Sequence, residues 1–204
     1  MRTDLAQDGH REPISSPFLR ALIYPRWDHL MPVIIGFLLI SSCQQGATNK
    51  IDAPENLAAE LSGVYYLIRH SEKDRSNPNN EDPELTTTGL SRAKLWQSYF
   101  DSIPLSGIYS TGYKRTLQTI IPTAASKSLN PIIYPPHDLV DNDFITRSHS
   151  GHWLIVGHSN TVPELTNALM NIDSLKDIPD SLNSRLYRVD YRSNPVKLSI
   201  LHID

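Results

Sequence analysis

The sequence predicts a three-layer α/β/α sandwich whose sheet is mostly parallel, with an antiparallel C-terminal edge. Two near-continuous apolar runs, residues 64–69 and 152–157, have the pattern of strands buried on both faces of a sheet. Helical patterns separate successive strand patterns, the spacing that parallel strands need for their crossovers. The last two strand-like runs, residues 185–191 and 196–202, are joined by Ser193-Asn194-Pro195 and therefore form a hairpin.

In chain order, the first strand is Val-Tyr-Tyr-Leu-Ile-Arg at 64–69, followed by a long polar loop from Ser71 to Pro83. Thr87 or Thr88 is placed to cap a helix over about 89–101, with Leu90, Ala93, Leu95, Trp96 and Phe100 as its apolar face. A short strand at 108–110 leads to a helix over 114–126, which Pro122 should bend or break. Another short strand at 132–134 ends in a Pro-Pro turn. After the strand at 152–157, Thr161 and Pro163 announce a helix to about residue 171. Trp96 and Trp153 are expected in the core.

Composition narrows the function. The chain has 204 residues and 39% hydrophobic content, enough to fill one ordinary core plus an appendage. Its 19 basic and 22 acidic residues give a formal charge of -3, with no broad basic field of the kind that nucleic-acid binding requires. A single cysteine, Cys43, excludes an intrachain disulfide and a multi-cysteine metal site. His149 and His152 lack a fixed third ligand, so no metal or other cofactor is expected.

Residues 1–42 are read as a signal peptide, residues 43–60 as a polar tether and residues 61–204 as the folded domain. The apolar run from Met31 to Ile40 is too short to span a bilayer, which takes about 20 residues, and suits a signal-peptide core. Ile40-Ser41-Ser42-Cys43 resembles the bacterial lipobox, which implies acylation of Cys43 and anchoring to a membrane of the cell envelope. The segment before Met31 is long and of mixed charge for such a leader, as an over-long assigned start would make it. The competing reading is a buried amphipathic helix ending in a core cysteine.

The chemistry collects where strands end. In open α/β sheets ligands bind beyond the carboxyl ends of strands, where loops and helix N-termini converge. Arg69-His70 ends one buried strand and Gly157-His158 the other. Tyr109-Ser110-Thr111 leaves a third strand and delivers Arg115 at the start of its helix. Two arginines and two histidines at one crevice suit a phosphoryl group. A planar guanidinium holds two of its oxygens, and a neutral imidazole can attack phosphorus to give a phosphohistidine that water then hydrolyses.

From Tyr65 to Leu169 the chain resembles the histidine phosphatase superfamily, the phosphoglycerate-mutase-like proteins, in particular the small branch with an Arg-His-x-Glu-Lys opening. Four separated blocks carry the likeness: Leu67-Ile68-Arg69-His70-Ser71-Glu72-Lys73; Asp82-Pro83-Glu84-Leu85-Thr86 with Gly89 and Arg92-Ala93; Tyr109-Ser110-Thr111 with Arg115-Thr116 and Thr119; and Val156-Gly157-His158-Ser159-Asn160-Thr161. The resemblance implies that His70 is the nucleophile, that Arg69 and Arg115 clamp phosphate, and that His158 stabilises the transferring group. It implies a phosphatase acting on a phosphomonoester or a phosphoprotein, and the short connection between the Arg115 and His158 blocks suggests an open, shallow pocket suited to an exposed phosphoryl group on a large substrate. A phosphomutase and a non-catalytic phospho-ligand module are the alternatives.

The chain departs from the family pattern at two places. Ser71 stands where the Arg-His-Gly members have glycine, and the loop stretch Lys73-Asp74-Arg75-Ser76 replaces the one in which mutases place a phosphate-touching asparagine, leaving Ser76 as the expected contact. Larger relatives carry the general acid in an insertion between the Arg115-type and His158-type blocks. Here that connection is short and offers Asp138, Asp141 and Asp143. Asp138, after the Pro-Pro turn, is the first choice. Glu72 is the second, with the alternative roles of orienting His70 or pairing with Lys73.

Overall fold

The computed structural model describes residues 57–204, in which helices alternate with the strands of one mixed sheet. The elements are α1 (Leu57–Glu60), β1 (Val64–Arg69), α2 (Thr87–Phe100), β2 (Gly107–Ser110), α3 (Lys114–Lys127), β3 (Ile132–Ile133), α4 (Asn142–Ser148), β4 (His152–Gly157), α5 (Thr161–Met170), β5 (Arg185–Asp190) and β6 (Lys197–His202). Strand order is β3-β2-β4-β1-β5-β6. β3, β2, β4 and β1 run parallel, while β5 and β6 pair antiparallel at the edge. This is the predicted sandwich. The expected signal peptide and lipobox and most of the expected tether fall outside the described residues, and within residues 57–204 no helix is long and apolar enough to cross a membrane.

Alternation along β1 builds the layers. Successive strand side chains point to opposite faces. Tyr65 and Leu67 join one core with Phe144 and Ile145 of α4 and Val162, Leu165 and Leu169 of α5. Val64, Tyr66 and Ile68 join the other with Trp96 and Phe100 of α2 and Ile120 and Ala124 of α3. Every residue of β1 is buried, as its unbroken apolar run requires. Both expected core tryptophans, Trp96 and Trp153, are buried.

Several boundaries differ from expectation for physical reasons. The N-cap of α2 is Thr86, whose hydroxyl accepts from the Gly89 N–H at 3.1 Å, rather than Thr87 or Thr88. The buried stripe of α2 is Gly89, Ala93, Trp96 and Phe100, a 4-3-4 spacing, so Leu90 and Leu95 fall off it and stay exposed. Gly89 is required there, since a Cβ would sit 2.3 Å from the Glu72 carbonyl oxygen. Pro122 neither ends nor splits α3; it removes one rung, while buried Thr116, Thr119, Ile120, Thr123 and Ala124 hold both halves against the sheet. Helix α4 was not expected. Asp141 caps it, its carboxylate accepting from Phe144 N–H at 2.7 Å.

Candidate functional site

His70 follows the last residue of β1, and its backbone N–H donates to the Gly157 carbonyl at 3.0 Å, tying the ends of β1 and β4 together. Its side chain is 3% exposed. The Nδ1–H donates to the Ser71 carbonyl at 2.7 Å, because a carbonyl oxygen can only accept. That bond leaves the lone pair on Nε2. Burial pushes the imidazole down to about 3, with Arg69, His158 and Arg115 adding to the effect and the Ser71 bond opposing it. His70 is therefore neutral and nucleophilic near neutral pH.

His158, just past β4, stands beside it with ring centroids 5.7 Å apart, and Tyr113 packs edge-on against His158 at 5.1 Å. A chain of hydroxyls orients His158. Thr116 Oγ1 donates to the Thr111 and Tyr113 carbonyls, both at 2.8 Å, so it must accept from Thr111 Oγ1 at 3.0 Å. Thr111 Oγ1 in turn accepts from His158 Nε2 at 3.0 Å. Burial, and then the Arg115 charge, push His158 down to about 4.

Arg69 is buried and Arg115 partly buried, and both have hydrogen-bonding capacity to spare. Arg69 is 2% exposed; its Nη1 donates to the Pro179 carbonyl at 2.9 Å and its Nη2 to Asp180 at 2.7 Å. Arg115 lies over the Tyr113 ring at 4.2 Å, donates to the Glu81 carbonyl at 3.3 Å and meets Asp82 at 3.5 Å. The Nε atoms of both arginines are buried without a partner among the described residues. Two fixed guanidinium groups with unused donors beside a neutral imidazole form an anion seat.

Next to His70 an open crevice is lined by Arg69, His70, Glu72, Lys73, Arg75, Asp180 and Asn183. The residues expected at the site divide accordingly. Arg69 and His70 line the crevice, while His158 packs against His70 and Arg115 lies on the Tyr113 ring that meets His158, both outside the lining. Glu72 also lines the crevice; its Oε1 accepts from Arg92 Nε at 2.7 Å, its Oε2 is buried without a partner among the described residues, and it neither pairs with Lys73 nor bonds to His70. Asp138 is exposed outside the crevice lining, with its backbone N–H closing a turn on the Pro135 carbonyl at 3.2 Å. Ser76 is exposed, its N–H turned to Asp74 at 2.9 Å, and it does not line the crevice. His149 and His152 stand apart, bonded to the Glu60 carbonyl and the Tyr66 hydroxyl.

Residues 65–136 match the model of the histidine phosphatase superfamily, branch 1. Over that stretch the chain is similar to the superfamily. Among curated proteins, no sequence matches it. Solved histidine phosphatases share its fold at low identity. A structure assigned as the phosphohistidine phosphatase SixA of Agrobacterium tumefaciens is 17% identical with a TM-score of 0.51, over 69% of this chain and 99% of that one. The mycobacterial glucosyl-3-phosphoglycerate phosphatase is 14% identical with a TM-score of 0.52, over 70% and 99%. A mutant phosphoserine phosphatase of Entamoeba histolytica in complex with phosphoserine is 15% identical with a TM-score of 0.51, over 68% and 96%.

Asp180 and Asn183 line the crevice but carry no signal in the sequence. Asn183 donates to the His70 carbonyl at 2.9 Å, helping to fix the strand end from which the imidazole projects. Both lie in the coil before β5, which reaches the crevice only because β5 pairs with β1.

Proposed function

We propose that this chain is a phosphatase that hydrolyses a phosphomonoester or phosphoprotein through a covalent phosphohistidine on His70. One observation carries the reading: a buried, neutral imidazole presents a free Nε2 near two guanidinium groups, Arg69 buried and Arg115 partly buried, whose buried Nε donors are unused. In the first step the Nε2 lone pair bonds to phosphorus as the phosphorus–oxygen ester bond breaks, its electrons passing to the leaving oxygen. Positive charge develops on the ring and is spread through Nδ1–H to the Ser71 carbonyl. Arg69 and Arg115 hold the phosphoryl oxygens. In the second step water attacks phosphorus, the phosphorus–nitrogen bond breaks, and neutral His70 returns with phosphate released.

Proton delivery shapes which esters react. Of the two carboxylates expected to serve, only Glu72 lines the crevice, and Arg92 holds one of its oxygens. Turnover therefore depends steeply on the leaving oxygen, with aryl phosphates faster than alkyl phosphates. Rapid-quench mixing with radiolabelled 4-nitrophenyl phosphate tests the mechanism. The expected result is a burst of nitrophenolate matched by acid-labile, base-stable label on the protein. Phosphate binding without turnover at any pH would leave a binding module instead.

A second expectation follows for pH. The acid limb of kcat/KM reports groups of the free enzyme. His70 keeps its lone pair down to about 3 and His158 stays neutral to about 4. In brief assays kcat/KM, corrected for the substrate's own second ionisation near pH 6, should hold to about pH 5 and fall below about 4. A fall centred near 6.5 would mean that the imidazoles titrate as exposed histidines do.

We propose also that the domain is displayed on a membrane of the bacterial envelope through acylated Cys43, on the strength of the lipobox-like Ile40-Ser41-Ser42-Cys43. A Cys43→Ser protein should lose palmitate labelling and move to the soluble fraction. Unchanged membrane association would defeat this.

A further inference from the structure

Every backbone polar group of His70 and Ser71 has a partner. The His70 N–H donates to the Gly157 carbonyl, the His70 carbonyl accepts from Asn183, and the Ser71 carbonyl accepts from His70 Nδ1–H. The Ser71 N–H donates to Thr119 Oγ1 at 2.9 Å. Thr119 in turn donates its hydroxyl hydrogen to the Arg115 carbonyl one turn back, at 2.7 Å, which leaves a lone pair for the Ser71 N–H. Ser71 and Thr119 are both fully buried, and the Ser71 hydroxyl has no partner of its own among the described residues. The Thr119 bond is therefore the polar tie that holds Ser71 to α3.

Thr119 belongs to a set. Thr116, Thr119 and Thr123 lie on one face of α3 at 3-4 spacing, all fully buried, where apolar side chains would fill the core at a lower desolvation cost. Thr116 reaches His158 through Thr111. Thr119, one turn on, reaches His70 through Ser71. One helix thus holds the surroundings of both histidines and carries Arg115 in its first turn. Thr123 differs, since its hydroxyl has no partner among the described residues.

We propose that Thr119 is a positioning residue for the nucleophile: by holding the Ser71 N–H it keeps the Ser71 carbonyl on His70 Nδ1–H, and so keeps the reactive lone pair on Nε2. Without the hydroxyl, the Ser71 N–H is buried and unpaired, a cost that turning the segment relieves. The carbonyl then leaves Nδ1. The other tautomer, with its hydrogen on Nε2, becomes populated and cannot attack phosphorus. The guanidinium groups of Arg69 and Arg115 make no bond to Thr119 Oγ1, so phosphate binding is spared. The effect on turnover rests on the phosphatase reading above, whereas the tautomer is a property of the resting protein.

Nitrogen NMR of the full chain with isotope-labelled histidine reads that tautomer near neutral pH, the His70→Ala spectrum assigning the signal. Wild-type His70 should show a single form with its hydrogen on Nδ1. Thr119→Val should populate the Nε2–H form and slow phosphoenzyme formation about tenfold or more, with inorganic phosphate affinity by calorimetry within about twofold of wild type. Thr119→Ala, which adds no apolar bulk, should do the same and keeps the test open if the valine protein does not fold. Thr119→Ser should restore the single tautomer and the rate, and Thr123→Val should move neither. An unchanged tautomer in the hydroxyl-less proteins, even with a lower thermal midpoint, would overturn the positioning role, as would a serine protein as impaired as the valine one. A tautomer shift in proteins that never turn over would support the role and sink the phosphatase.

Discussion

A His70→Ala protein is expected to bind phosphate yet lose turnover by on the order of 10⁴-fold or more, with no phosphoenzyme on rapid quench. The size follows from losing the covalent step itself, not one stabilising contact. Arg69, Arg115 and His158 remain, so residual binding measures what the cationic seat does alone. Folding supplies an independent check of the same residue. The folded protein keeps His70 and His158 neutral at pH values where the unfolded chain, with ordinary values near 6.5, binds protons on both. Stability is thus unaffected by these groups above about pH 7 and declines as pH falls from about 6.5 toward 4. Urea midpoints measured across that range should fall less steeply for His70→Ala than for the wild-type protein. An unchanged slope would place the His70 imidazole in solvent. Turnover within tenfold of wild type would remove it from the nucleophile's position.

The parts of this site that sequence exposes are those fixed by short-range rules. Arg69 and His70 end a strand whose six residues are all buried, and His158 follows another. Arg115 lies in the first turn of α3, two residues after its N-cap Tyr113. Each is placed by one strand end or helix start, so local pattern reveals it. Asp180 and Asn183 have no such signal, because the pairing of β5 with β1 brings them in across more than a hundred residues of chain. The same distinction explains the fold-level differences. Thr86, Thr87 and Thr88 are chemically equivalent caps, and the choice falls to Thr86, whose N–H also donates to the Glu72 carbonyl. Helix α4 spans seven residues with Phe144 and Ile145 as its buried hydrophobics, too few turns for a period to emerge. Glu72 illustrates the limit for chemistry. Adjacency to Lys73 suggests a pair, but Arg92, one buried-stripe turn along α2, reaches it first.

Arg115 offers the cleanest measure of how much catalysis comes from the guanidinium seat. Its ground-state contacts are long, 3.3 Å to the Glu81 carbonyl and 3.5 Å to Asp82, and its Nε is unpartnered. Little folding energy is invested in it beyond its packing on Tyr113. Arg115→Ala should therefore leave the thermal midpoint within a few degrees of wild type. It should reduce kcat/KM by about 10²- to 10³-fold, roughly 2.7–4 kcal/mol of transition-state stabilisation, the cost of removing one preorganised donor from charge that develops in the reaction. Arg115→Lys should recover only part, because an ammonium cannot span two phosphoryl oxygens. Added guanidinium at millimolar concentration should restore activity to the alanine protein more than to the lysine protein, whose side chain still fills the seat. Arg92→Ala makes the contrast. It strips the partner from the partly buried Glu72 carboxylate and should lower stability before it lowers the chemical step. If Arg115→Ala instead unfolds the domain while its kcat/KM at low temperature is unchanged, the guanidinium serves the loop of Glu81 and Asp82, and the phosphoryl oxygens rest on Arg69 alone.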